Sequence, residues 1–294
     1  MNTKIALVSL AVLSTVSLSA AHTVYGLTTR DQLIRFDSSS PTMVMQANFV
    51  WGLAANESLV GIDFRPSNNM LYGVGSFGNI YTLNTTNAMA TKVATIMDSV
   101  TNMPINLWGA EFGVDFNPVP DRLRITSNLG QNLRVNVATG STVQDGMLNQ
   151  GSGAPHIVGS AYTNNTFPGT TTQLFNLDSA SNLLTLQNPP NAGTQVNVGP
   201  LGMDITALAG FDIVTRNSMN EAFAAIQLNG MTGSKFARIN LGTGAATLVG
   251  DISMAMSSDS LAVRDIAINP VPEPTTMLAL GAGLAAISRR RRKS

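Results

Sequence analysis

The sequence predicts an all-β fold, a ring of five short sheets closed by the chain's own last strand, and three observations carry that expectation. A strand of the form Gly-apolar-Asp-apolar recurs as Gly61-Ile62-Asp63-Phe64, Gly113-Val114-Asp115-Phe116 and Gly210-Phe211-Asp212-Ile213. A repeat period of roughly fifty residues marks a repeat architecture. A unit of strand, polar tight turn and strand recurs between these copies, five times along the chain. Finally, the first strand, Val24-Tyr25-Gly26-Leu27, has no Gly-apolar-Asp strand before it, while Asp265-Ile266-Ala267-Ile268-Asn269-Pro270 is left over at the other end. Joining the two closes a five-bladed β-propeller and removes the open sheet edge. A twisted β-sandwich is the competing fold.

Residues 1–21 read as a signal peptide: Lys4 is the positive start, residues 5–18 the apolar core, and Ser19-Ala20-Ala21 a small-residue cleavage site. The apolar core falls short of the roughly 20 residues a membrane span needs. The body, residues 22–270, then runs through the five hairpins. They are Leu33–Asp37 with Thr42–Met45, Ile80–Asn84 with Thr91–Ala94, Leu133–Asn136 with a Thr139-Gly140 turn, Leu174–Asp178 with Leu183–Leu186, and Phe236–Asn240 with Ala246–Val249. Alternating apolar residues mark half-buried strands and Asx-Gly marks the turns. Asp37, Asn84, Asn136, Asp178 and Asn240 open the turns, where each side chain can accept the N–H two residues on. The predicted blades are 261–268 with 24–53, 61–100, 113–148, 159–203 and 210–255. The fourth starts near Gly159-Ser160-Ala161-Tyr162 and has lost the Asp; in the closing strand Ala267 sits near its place.

Residues 271–294 form a different kind of segment. Pro272-Glu273-Pro274 leads into apolar residues 275–288, then Arg289, Arg290, Arg291, Arg292 and Lys293. The basic cluster predicts a cytoplasmic end, with everything before Pro272 outside the inner membrane. About fourteen helical residues span only ~21 Å against a ~30 Å hydrocarbon core. So short a transmembrane helix suits a transient handle better than a permanent anchor. The tail resembles the PEP-CTERM sorting signal of Gram-negative bacteria, whose three motif letters are Pro272, Glu273 and Pro274. That resemblance implies recognition and cutting by a membrane-embedded exosortase, often in organisms that make exopolysaccharide. It implies a passage through the inner membrane on the way to the cell surface or medium.

The body resembles the domain of unknown function 4394 family through Leu71-Tyr72-Gly73, the paired Gly-apolar-Asp-Phe-x-Pro strands and Ala161-Tyr162-Thr163-Asn164. This implies a secreted, propeller-like repeat and brings no catalytic residue with it.

Charge narrows the partners. Charged residues make up 12% of the chain, and without Lys4, Glu273 and residues 289–293 the body holds 11 basic and 16 acidic residues. A weakly acidic body lacks the clustered cations that nucleic acid needs. The chain has no cysteine, which excludes disulfides and thiolate metal sites.

Candidate chemistry is sparse. Asp63, Asp115 and Asp212 share one place in three inner strands, where they either fix the blades through backbone N–H bonds or hold Ca²⁺. Trp51 and Trp108 each precede an inner strand and either stack on sugars or pack. Arg122 and Arg124, two apart, share a strand face. With Arg134 they either grip an acidic sugar or pair with Asp121, Asp115 or Glu111. His156 has no histidine partner in the body except the near-terminal His22 and no G-x-S-x-G motif beside it. No catalytic residue, metal set or cofactor motif is singled out. The sequence therefore reads as an exported, non-enzymatic surface or matrix protein that binds a glycan, such as exopolysaccharide, or another envelope protein. A propeller glycosidase or lyase acting on extracellular polysaccharide is the alternative.

Overall fold

In a computed structural model, residues 21–151, 153–254 and 260–270 are described. Residues 1–20 of the predicted signal peptide and the sorting tail, including Pro272, Glu273, Pro274 and residues 289–293, lie outside them. The strands are β1 (Thr23–Thr28), β2 (Gln32–Asp37), β3 (Gln46–Phe49), β4 (Leu59–Arg65), β5 (Met70–Gly75), β6 (Asn79–Leu83), β7 (Ala90–Thr95) and β8 (Met97–Asp98). They continue as β9 (Phe112–Asn117), β10 (Arg122–Ser127), β11 (Asn132–Val135), β12 (Ser141–Gln144), β13 (Ile157–Tyr162), β14 (Leu174–Asp178), β15 (Leu183–Gln187) and β16 (Gln195–Pro200). The last are β17 (Ile205–Arg216), β18 (Met219–Leu228), β19 (Ser234–Ile239), β20 (Ala246–Asp251) and β21 (Val263–Ile268).

These strands form five sheets, antiparallel apart from the β8–β12 pair, the blades of a five-bladed β-propeller. The first blade has the order β21-β1-β2-β3, so the last strand of the chain supplies its inner strand, as the sequence predicted. Val24 pairs with Ile268 and Leu27 with Asp265 across that seam. The other blades run β4–β7, β9–β12, β13–β16 and β17–β20 from inside to outside. One boundary shifts: β8, expected in the second blade, pairs in parallel with β12 of the third.

Inner strands such as β4 and β13 are buried on both faces and read as nearly continuous apolar runs, whereas outer strands such as β7 and β20 are largely exposed. Four apolar clusters fill the gaps between blades one and two, two and three, four and five, and five and one. Burial of such surface, at about 25 cal/mol per Å², is the main force holding the ring together.

The rim is stitched as well. After each outer strand the chain lays a residue or two along the outer strand of the next blade. Trp51 bridges Met89, the Met97 N–H donates to Gly140 O (2.9 Å) and Asn149 bridges Thr194. The Ala246 N–H donates to Leu201 O (3.0 Å), and the Val44 N–H donates to Ser253 O (3.0 Å). All five outer edges are thus partly capped by the preceding blade, which blunts their capacity to pair with other chains.

All five predicted Asx bonds are present. Asp37, Asn84, Asn136, Asp178 and Asn240 accept the N–H of Ser39, Thr86, Ala138, Ala180 and Gly242 at 2.7, 2.8, 3.1, 3.0 and 2.9 Å. The fourth hairpin is out of phase with the others, however. Asp178 turns from the second strand of its blade to the third, while the other four turn from the third to the fourth. In blade four that outer connection is residues 188–194, built around Pro189 and Pro190 with a short 3₁₀ turn.

Candidate functional site

The recurrent Gly-apolar-Asp motif has a spatial cause. The inner strands crowd one another around the axis, and each Gly is where the neighbour comes closest. A Cβ on Gly61 would overlap Val114, one on Gly113 would overlap Ser160, and one on Gly210 would overlap the backbone of Asp265. Two residues on, the Asp carboxylate bridges to the next strand. Asp63 accepts the N–H of Phe64 (2.6 Å) in its own strand and of Phe116 (2.7 Å) in the next. Asp212 accepts those of Ile213 (2.6 Å) and Ile268 (2.5 Å). Asp115 takes a backbone hydrogen bond from Tyr162 in blade four.

A fourth member escaped the sequence reading. Asp265 accepts the N–H of Ile266 (2.9 Å) and of Ile62 (2.8 Å), so it occupies the Asp place in the closing strand, not Ala267. Matching Asn269-Pro270 to Asn117-Pro118 slides the strand by two residues, and a shift of two preserves the in-out alternation and hides the error. Only blade four, with Ala161, lacks the acid.

All four aspartates are buried, and burial raises each carboxyl's pKa. Neighbouring carboxylates push Asp63, Asp115 and Asp265 further up, while backbone N–H bonds oppose the rise. Asp212 is pushed up to about 7 by burial against the pull of its two backbone bonds. Asp63, Asp115 and Asp212 each bring an oxygen within 4.8 Å of the others, and they are the described residues that converge closely enough to hold a cation. The observed partners of these carboxylates are backbone N–H groups, and their visible task is to fix the blades.

Between blades three and four a polar network takes the place of an apolar cluster. Arg124 is 1% exposed. It donates to Asp145 (2.6 Å), Asn132 (2.8 Å), Asn191 (2.9 Å) and the Tyr162 hydroxyl (3.1 Å). Arg134 joins the same Asp145 carboxylate with bonds of 2.6 and 2.8 Å. Arg124 is therefore not a surface ligand contact, and its acid is Asp145 rather than Asp121, Asp115 or Glu111. A buried guanidinium must be paired and fully bonded, which this cluster achieves. Arg122, two residues earlier, lies at the strand end and donates to the carbonyls of Pro120 and Asp121.

The inner strands have two ends. At one lie the first-to-second turns of blades two to five and, in blade one, both ends of the described chain. At the other end, polar groups gather around the starts of the inner strands, the mouth of the ring. Glu111, just before β9, is half-buried, and its Oε2 stands 4.0 Å from Nε of Arg264 in β21. Neither atom has a hydrogen-bond partner among the described residues. Burial raises the Glu111 pKa and Arg264 opposes the rise. Asn128 accepts the Ala110 N–H (3.0 Å), and its amide lies 3.3 Å from Nε2 of His156. His156 Nδ1 contacts Ser179 Oγ at 2.9 Å. Trp108 is three residues before Glu111, with its N–H on Gln131 (3.2 Å) and its side chain 39% exposed. Trp51 is separate: it lies on the rim, 54% exposed, with its indole N–H on Asn87 O.

The model of the DUF4394 family, a domain of unknown function, matches residues 32–267, and that of the PEP-CTERM protein-sorting motif matches residues 270–293. No curated protein matches in sequence. Similar solved structures include a chain of a nidogen/laminin complex at 11% identity, covering 85% of this chain and 98% of that one with a TM-score of 0.48. A structural-genomics protein of unknown function from Bacteroides thetaiotaomicron VPI-5482 is 11% identical, over 84% of this chain and 64% of its own, at TM-score 0.45. PorZ, a surface component of the type-IX secretion system of Porphyromonas gingivalis, is 14% identical, over 83% of this chain and 29% of its own, at 0.37.

Proposed function

We propose that this chain, which belongs to the DUF4394 family and ends in a PEP-CTERM protein-sorting motif, is a non-enzymatic surface or matrix protein. It is exported to the cell envelope through a membrane intermediate, and its motif directs exosortase-type processing. Its body binds a glycan, such as an exopolysaccharide, or another envelope protein at the mouth opposite the tail. The observation that supports this best is the use of the inner-strand acids. Asp63, Asp212 and Asp265 each spend both carboxylate oxygens on backbone N–H groups, which favours a structural axis over a carboxylate pair poised for hydrolysis.

The mouth supplies what a polar partner uses: the partly exposed side chains of Glu111 and Arg264, 18% and 20% accessible, and Trp108, 39% exposed. An exposed aromatic residue and a charged pair at the same end of the ring suit sugar stacking with hydroxyl hydrogen bonds. The processed protein, purified from its host, should be retained by host exopolysaccharide or an envelope extract. Retention should fall at least tenfold in Trp108→Ala and Arg264→Ala, while Trp51→Ala on the rim leaves it unchanged. Release of reducing ends or unsaturated sugars from the polysaccharide, abolished by Glu111→Gln, would overturn this reading in favour of an enzyme.

A further inference from the structure

The face from which the tail leaves has a regular feature. Val24 pairs with Ile268, so both ends of the described chain emerge at the same end of the inner strands as the first-to-second turns of the other blades. Each of those four connections has an exposed apolar side chain within it or at the start of the strand that follows. They are Met70 (47% exposed), Val119 (42%), Phe167 (46%) and Met219 (62%), one in each of blades two to five. In blade one, the fifth place is taken by the chain's departure toward the apolar residues 275–288.

The tether is short. Four residues, 271–274, lie between Pro270 and Thr275, and five steps of at most about 3.6 Å reach only ~18 Å. Because β21 is an inner strand, the tether leaves near the propeller axis. While residues 275–288 are in the bilayer, the centre of the tail face, where β21 ends, is held within that reach of the headgroups. Arg65, Arg122 and Arg216 stand at the same strand ends, with Asp121 as the acid that pairs with Arg65. Apolar tips with basic neighbours suit the interface of an anionic bilayer. Exposed apolar residues also occur at the opposite end, Phe77 and Leu129 among them. Exposure alone does not choose between the faces; the tether does.

We propose that before processing the propeller rests tail face down on the outer leaflet of the inner membrane. Met70, Val119, Phe167 and Met219 then lie at the headgroup–acyl boundary of anionic phospholipid. This rests on the sorting reading, which places the tail in that membrane. The mouth of the ring faces away from the lipid, and cutting the tail leaves only the four side chains and nearby charges as a reversible contact.

The chain has no native cysteine, so single probes can be placed cleanly. Full chains lacking only the signal peptide, carrying Phe167→Cys, Met219→Cys, Phe77→Cys, Leu129→Cys or Gly281→Cys, are labelled with an environment-sensitive fluorophore. They are reconstituted in vesicles of phosphatidylethanolamine and phosphatidylglycerol that contain an acyl-chain nitroxide quencher. The expected result is strong quenching at positions 281, 167 and 219 and none at 77 or 129. Quenching at 281 with positions 167 and 219 as unquenched as 77 and 129 would overturn the docking and leave the sorting reading intact. No quenching at 281 would overturn the sorting reading and the docking with it. Adding Met70→Asp and Val119→Asp to the labelled Met219→Cys chain should lower quenching at 219 severalfold with an unchanged circular dichroism spectrum; unchanged quenching would also count against the docking.

Discussion

Asp265 and Ile62 are 203 residues apart in sequence, yet the Asp265 carboxylate accepts the Ile62 N–H at 2.8 Å in the buried centre of the ring. The closing strand is therefore held on both sides, by the β1 ladder on one and by this bridge to β4 on the other. Asp265→Ala strands the buried N–H donors of Ile62 and Ile266 and removes the bond from the Phe211 N–H, and should cost about 2 kcal/mol or more. Chemical denaturation should show a lower midpoint. Ala161 marks the one interface between described inner strands that lacks such a bridge, between blades four and five; Ser160→Ala, which gives up one hydroxyl contact to Thr126 in blade three, should cost less.

The glycines of the same motif are a separate test. Gly210→Ala drives a methyl group into the backbone of Asp265, which cannot swing aside as a flexible side chain would. Overpacking of this kind costs about 1–3 kcal/mol. Gly230→Ala, in an exposed turn where no atom lies within 4 Å, meets no overlap, although its φ of +79° carries a smaller backbone strain. Thermal unfolding of the two variants should rank Gly210→Ala as the less stable.

Acidity should stabilise the ring. The carboxyls of Asp63, Asp115, Asp212 and Asp265 have pKa values raised above the usual 3.8, so the fold favours their protonated forms. Their contribution is complete below the unfolded pKa and is lost as pH rises through the folded one. For Asp212 that window runs from 3.8 to about 7, and its shift is worth on the order of 4 kcal/mol. Asp121, paired with Arg65, has a lowered pKa and acts in the opposite sense, but only below its own unfolded value. Burial lowers the His22 pKa, so His22 loses stability as pH falls below 6.5. Between pH 4 and 8 the melting temperature should decline, and Asp212→Asn should flatten that decline.

Blades three and four should be the most sensitive to a lost charge. Removing one partner of a buried ion pair costs about 3–5 kcal/mol, so Arg124→Ala should unfold the protein at far lower denaturant. Arg122→Ala, two residues away and bonded only to turn carbonyls, should shift stability by about 0.5 kcal/mol or less.

Features set by near neighbours were legible in the sequence. The Asx turns at Asp37, Asn84, Asn136, Asp178 and Asn240 need only the residue and the N–H two places on. The ring closure was legible because a strand was missing at one end and spare at the other. Features set across blades were not. Arg124 looks like any surface arginine until Asn191 and Asp145 arrive from elsewhere in the chain. Asp265 was misplaced because Asn269-Pro270 suggests a different alignment, and only its bond to Ile62 shows the true register. The fourth hairpin slipped by one strand because Asp178 opens an Asx turn like the others.

Export and processing are tested most directly in the native host. The wild-type protein and a variant lacking Pro272–Pro274 would be fractionated, with the C-terminus of each read by mass spectrometry. The account predicts that wild type is cut near Pro274 and recovered outside the inner membrane, while the variant keeps its Arg289–Ser294 end there. A wild-type protein recovered from the inner membrane with that end intact would contradict it.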